Sequence, residues 1–213
     1  MKVALKTVTP DAEKNIVEIA RVSSSRKDKA EAPEGLINYL IKNKHWSPFE
    51  HAYMTIEIET SKAIGIQLIR HRSFTFQEFS QRYAKVTAIE PIEVRRQAEK
   101  NRQSSEEIFD PMLPVYKGAN EFKPSSAAIG DFIEKATSLY NELLEAGVAK
   151  ECARMVLPMA TQTTIYMTGA VRSWIHFIQL RAGNGTQKEH QEIALACAQA
   201  ITAIFPMTST LVE

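Results

Sequence analysis

Two cysteines, no long apolar run and almost no net charge mark this chain of 213 residues, and each shortage excludes something. Cys152 and Cys197 stand singly in helix-like stretches, too few for a disulfide framework and too isolated for a zinc site, so reduced, buried thiols are expected. No apolar segment approaches the length that spans a bilayer, and Lys2 and Lys6 interrupt the beginning before a signal-like run can build. A cytoplasmic protein without membrane association is the expectation. Lys and Arg number 26 against 25 Asp and Glu, which removes the global positive footprint of a nucleic-acid binder and requires any anion site to be local. A G-x-G-x-x-G turn and a G-x-x-x-x-G-K-[ST] loop are both missing, which argues against Rossmann and P-loop nucleotide sites. The five histidines fall in neither H-x-x-x-H nor H-E-x-x-H spacing, so no metal centre is expected.

What is present reads as one domain of mixed structure over residues 1–213. Val3 to Val8 predicts a strand. Thr9-Pro10-Asp11 offers a cap, with proline at the first helical position, for a helix through about Val22. Leu36, Ile37, Leu40 and Ile41 form the apolar stripe of a second helix over 35–44, which "HWSPFEH" (45–51) breaks. Period-two alternation from Ala52 to Ile58 marks a strand with one buried face, and Ser61 caps a helix from Lys62 to about His71. Residues 101–126 carry Pro111, Pro114 and Pro124 without sustained periodicity and read as a polar excursion. A strong helical stripe from Ile129 to Leu144 follows, ended by Gly147. Then come a helical segment over 150–157, a strand at Thr163-Thr164-Ile165, and helices over about 171–180 and 187–204. The class is α+β, a small mixed or antiparallel sheet surrounded by helices.

The chemistry concentrates in "RHRSFTFQEFSQRY" (70–83). A guanidinium forks two hydrogen bonds onto an oxyanion while its flat face stacks on an aromatic ring, and Arg70, Arg72 and Arg82 lie among Phe74, Phe76, Phe79 and Tyr83. If Leu68 to Arg72 is helical, the turn of about 100° per residue points Arg70 and Arg72 to nearly opposite sides, as a segment between two sites or two subunits requires. The competing explanation is a solvated face with carboxylate partners. A second set, Arg154, Arg172, His176 and Arg181, lies further on, with Arg172 and His176 one helical turn apart. Trp46 and Trp174, beside His45 and His176, offer surfaces on which a planar ring stacks.

Arg70-His71-Arg72, seven residues and then Ser80 match the R-H-R-x7-S signature of the flavin-dependent thymidylate synthases, which the chain resembles along nearly its whole length. "ARVSS" (20–24), "HWSPFEH", "KECARMVLP" and "RSWIHFIQLRAGNGTQKEH" carry the likeness on both sides, which is strongest to the short viral and phage-like members. The resemblance implies a homotetramer with active sites shared between subunits, binding FAD, dUMP and 5,10-methylenetetrahydrofolate, with NADPH as reductant. It implies reductive methylation of dUMP to dTMP without a cysteine nucleophile. By motif it implies FAD contacts from Ser23, Ser47, Glu50, Arg70, His71, Arg72, Glu78, Arg172, His176 and Gln187. For dUMP it implies Gln67, Arg70, Glu78, Ser80, Gln81, Arg82, Arg154 and Arg181, with Arg181 as the catalytic group beside the uracil ring, and His45 and Trp46 border the folate. The chain departs from the common pattern at Ala170 and His176, where many members have asparagine, and at "TQKEH", where the familiar ending is "AQ-x-E-I-R". Two other activities are compatible with the residues: pyrimidine nucleotide hydroxymethylation on the same scaffold, since fold and flavin site do not fix the substrate, and non-enzymatic binding of single-stranded nucleic acid.

Overall fold

The computed structural model describes residues 1–22, 33–183 and 185–205. In chain order they form β1 (Lys2–Val8), α1 (Ala12–Ala20), α2 (Pro33–Lys42), a 3-10 segment (Ser47–His51), β2 (Tyr53–Ser61), α3 (Lys62–Leu68) and β3 (Thr75–Glu78). The short strands β4 (Arg95–Gln97), β5 (Ser105–Ile108), β6 (Met112–Pro114) and β7 (Phe122–Pro124) follow. Last come α4 (Ser125–Glu145), α5 (Lys150–Ala153), a 3-10 turn (Arg154–Val156), β8 (Gln162–Ala170), α6 (Val171–Arg181) and α7 (Lys188–Thr202). They divide into two units: Met1–Glu59, Ile66–Glu78 and Thr164–Glu213 in the first, Thr60–Gly65 and Phe79–Thr163 in the second.

In the first unit, a four-stranded sheet of order β1-β2-β8-β3 pairs β1 with β2 and β3 with β8 antiparallel. The alternation expected of β2 is present: Met54, Ile56 and Ile58 are buried on one face, as are Ile165 and Met167 of β8. Trp174, Ile175, Phe177 and Ile178 of α6 and Ile193, Cys197 and Ile201 of α7 complete this core. The other face is polar, with Lys6 bonded to Glu57 at 2.7 Å. Between Leu5 and Thr7 the β1 register slips by a bulge, which leaves Lys6 without a partner residue on β2. One close approach dictates a glycine. A Cβ on Gly169 would lie 2.5 Å from Phe74 Cδ1 and 2.7 Å from Cε1, so the absent side chain lets the Phe74 ring lie on β8.

In the second unit, Tyr140 of α4, Val86 and Ala153 form a small buried cluster, with Phe79, Leu143, Val148 and Leu157 packed around it. The Tyr140 hydroxyl accepts the Val86 N–H at 3.2 Å. In and just before the polar excursion read from the sequence at 101–126, the chain makes two antiparallel ribbons, β4–β5 and β6–β7. Backbone pairing and side-chain links such as Arg95 Nε to Ser105 Oγ at 2.9 Å hold them where hydrophobic periodicity is absent.

Three local expectations are corrected. Pro10 lies outside α1, and Asp11, at φ 48°, adopts left-handed geometry as the residue before the helix, without a side-chain cap. Cys152 is exposed on the single turn of α5, which buries Ala153 instead, whereas Cys197 is buried as expected and burial pushes its thiol far above its ordinary value. The third concerns the arginines. Helix α3 stops at Leu68, so the helical premise for opposed Arg70 and Arg72 fails, and a succession of turns carries both side chains exposed to solvent. The N–H groups of Arg70 and His71 close these turns onto the carbonyls of Gln67 and Leu68.

Candidate active site

A cavity of about 540 Å³ opens in the first unit, lined among others by Trp46, Glu50, Tyr53, Arg172, His176 and Gln179. Its walls follow from local chain geometry. Pro48 at the start of the 3-10 segment fixes a tight turn that presents Trp46 and Glu50 from one side. On the other side, the Val171 N–H bonds the Ala52 carbonyl at 2.8 Å, which places the first turn of α6 beside the start of β2. The buried Trp174 indole N–H donates to the Met54 carbonyl at 3.3 Å and locks the helix in that position. Trp174 thus serves the core rather than stacking a ligand. From the exposed flank of α6, Arg172 and His176, one turn apart, reach the cavity, and Arg172 is ion-paired with Glu50. Ser173 and Gln179, three residues either side of His176, complete the stripe. Sequence reasoning passed over both, although the i±3 spacing around His176 carries the signal. Ala170 lines the same cavity.

A second constellation of the first unit surrounds His71. Its ring lies edge-on to Phe177 at 4.9 Å and to His190 at 6.1 Å between centroids. Arg181, the last residue of α6, donates from Nε to His71 Nε2 at 3.1 Å. An imidazole nitrogen that accepts is unprotonated, so His71 is neutral with its proton on Nδ1. Burial first, then the positive charge of Arg181 and the neighbouring His176, lower its pKa to about 4. Gln67 of α3 donates from Nε2 to Gln187 Oε1 at 2.7 Å. Gln67, His71, Arg181 and Gln187, each singled out from sequence, therefore belong to one neighbourhood. His190, which sequence reasoning assigned no role, lies in the middle of this group.

The remaining expected residues have these places. Glu78 ends β3, half-buried. Ser47 and His45 are exposed, and His45 meets Tyr39 edge-on at 5.8 Å. In the second unit, the exposed Ser80 offers its carbonyl to the N–H groups of Tyr83 and Ala84, and Gln81 is buried. Arg82 pairs with Glu151 at 3.3 Å, while Arg154 Nε approaches the Glu151 carbonyl at 3.4 Å, so two cations flank one residue. Ser23 lies outside the described residues. Among the described residues, the guanidinium groups of Arg70 and Arg72 have no hydrogen-bond or ion-pair partner, no group of three His, Cys, Asp or Glu is arranged to hold a metal ion, and no helix is long and apolar enough to cross a membrane.

Residues 4–207 match the family model described as "Thymidylate synthase complementing protein". A probable flavin-dependent thymidylate synthase of Paramecium bursaria Chlorella virus 1 is 45% identical over 197 residues, 92% of this chain and 88% of that protein. A flavin-dependent thymidylate synthase of Synechocystis sp. is also 45% identical, over 91% of this chain and 86% of its own length. Among solved structures, the UMP/dUMP methylase PolB from Streptomyces cacaoi, bound with 5-Br dUMP, superposes with a TM-score of 0.78 at 27% identity, covering 99% of this chain and 93% of that one.

Proposed function

The chain belongs to the flavin-dependent thymidylate synthase family, and on that premise we propose that it methylates dUMP to dTMP, taking the carbon from 5,10-methylenetetrahydrofolate and reducing equivalents from NADPH through bound FAD. The observation that carries this assignment is the meeting of Trp46, Glu50, Arg172 and His176 around one cavity of cofactor-binding size. These residues fit a flavin. Trp46 and Tyr53 offer aromatic surface to a planar ring, and the Arg172 guanidinium and the polar groups of Ser73, Ser173 and Gln179 suit its carbonyls, hydroxyls and phosphates. Ser23, Ser47, Glu50, Arg70, His71, Arg72, Glu78, Arg172, His176 and Gln187 would hold FAD, which when bound supplies the hydride that completes the methyl group.

The chain's own residues supply binding and electrostatics. Gln67, Arg70, Glu78, Ser80, Gln81, Arg82, Arg154 and Arg181 bind dUMP, the arginines and Ser80 at its phosphate and Arg181 beside the ring. Charge builds on the uracil as C5 attacks carbon, and a guanidinium already fixed through its Nε needs no reorganisation to stabilise it. Neutral His71 leaves Arg181 as the cation of that contact. His45 and Trp46 border the folate. The assembly is a homotetramer with shared sites. Its support is the apolar face of the second unit, where Phe132 of α4 is 58% exposed and Met112 and Phe122 on the adjoining ribbon are each 57% exposed in the single chain.

The test is an anaerobic titration of gel-filtered protein. An oxidised-flavin spectrum should bleach on NADPH, and dUMP with methylenetetrahydrofolate should then restore it and yield dTMP by mass spectrometry. A product carrying a hydroxymethyl group would move the assignment to the hydroxymethylase, and colourless protein that takes up no added FAD would refute it.

A further inference from the structure

Of the five histidines, only His190 is wholly buried, at the first turn of α7. Its Nδ1 lies 3.1 Å from Gln67 Oε1. Gln67 Nε2 lies 2.7 Å from Gln187 Oε1, and Gln187 Nε2 lies 2.9 Å from Glu189 Oε2. Four side chains thus form a chain of bonds that leaves α7 at Glu189 and returns to it at His190.

Every direction in this chain follows from its acidic end. A carboxylate only accepts, so Gln187 turns its NH2 to Glu189 and its oxygen to Gln67. Gln67 then turns its own NH2 to Gln187 and its oxygen to His190, so the proton of the imidazole must sit on Nδ1. His190 Nε2 becomes a bare acceptor, and it is buried without a partner. An unsatisfied buried acceptor is costly, and phenylalanine or leucine would fill the space beside Phe177, 5.8 Å away, without it. Burial, Arg181 and His71 hold the ring neutral, with a pKa lowered to about 4, so the donor stays in place at neutral pH.

We propose that His190 is a positioning residue for the nucleotide: with Glu189 and Gln187 it clamps the Gln67 amide in one of its two orientations, so that the remaining N–H and lone pair of Gln67 meet dUMP in a fixed arrangement. A free glutamine amide rotates by half a turn and exchanges donor for acceptor; the clamped one does not. The inference rests on the assignment of Gln67 to dUMP given above.

Steady-state kinetics of the holoenzyme test it with the variants His190→Phe, His190→Asn and Gln67→Ala. His190→Phe keeps a ring but removes the donor, and the loss of one such bond should raise KM for dUMP about five- to tenfold while kcat changes less than about twofold. His190→Asn retains a donor near the Nδ1 position and should recover most of the affinity. In a Gln67→Ala background His190→Phe should add nothing. An unchanged KM in His190→Phe, or the same increase with and without Gln67, overturns the proposal. If Gln67→Ala itself leaves KM unaltered, the failure lies with the assignment of Gln67. Histidine 15N NMR of the native protein gives an answer even if the variants do not fold: the Nδ1–H tautomer is expected for His190, and an Nε2–H tautomer or an imidazolium at neutral pH refutes the clamp.

Discussion

Adding one methyl group at position 169 should loosen the core beside His71 and its partner Arg181. In Gly169→Ala the new Cβ would lie 2.5 and 2.7 Å from two carbons of the Phe74 ring, far inside van der Waals contact. The ring cannot simply swing aside. Phe74 is 7% exposed, meets Trp174 at 4.8 Å and Phe177 at 6.2 Å between centroids, and lies 6.5 Å from His71. Overpacking of this kind costs about 1–3 kcal/mol. Alanine also restricts the unfolded chain, which offsets about 0.4–1 kcal/mol. A net loss of roughly 1–2 kcal/mol lowers Tm by about 2–8 °C in a chain of this length. Differential scanning calorimetry at fixed protein and FAD concentration measures it, since ligand and assembly both move Tm. Shortening the ring in Gly169→Ala/Phe74→Leu should leave the pair less destabilised than the sum of the singles. A Tm for Gly169→Ala within about 1 °C of the native protein would refute the reasoning, because it would mean that Phe74 has room the structure does not show.

Stability should fall on acidification. His71 and His190 have folded pKa values of about 4 against an ordinary 6.5, so the unfolded chain binds the extra protons, and stability is undiminished above pH 6.5 and lost progressively as pH falls towards 4. Urea titrations from pH 7.5 to 4.5 should show this decline, shallower in His190→Asn; a flat profile would contradict the burial of both rings. Arg172→Ala should leave the urea midpoint almost unmoved, since its pair with Glu50 is exposed, yet reduce FAD retention on gel filtration; equal retention would remove Arg172 from the flavin site. Cys152 should react with a maleimide in the folded protein while Cys197 does not, and Cys152→Ser and Cys197→Ser should both keep turnover. Loss of turnover in either would reopen a thiol mechanism.

The parts legible in the sequence were those written in short-range periodicity. Met54, Ile56 and Ile58 announced β2, and the Ile129 to Leu144 stripe announced α4, because one buried face imposes its spacing on local sequence. Residues 95–124 escaped for the opposite reason: their ribbons are held by backbone bonds and polar side chains, which leave no apolar rhythm. At the site, the Arg172–His176 spacing predicted a shared flank of α6, and the flank lines the cavity. The end of α3 at Leu68 was not visible, since Ile69-Arg70-His71 contains no residue that forbids a helix. Nor was the approach of Gln67 to His190, 123 residues apart, a contact specified by tertiary packing alone.

The slip in register between Leu5 and Thr7 reaches beyond its own strand. β1 forms one border of the four-stranded sheet, where unpaired amides and carbonyls would otherwise invite a foreign strand. A kinked border with a lysine drawn across to Glu57 offers no straight row of partners to copy, so continuous sheets running from one molecule into the next are disfavoured along this side.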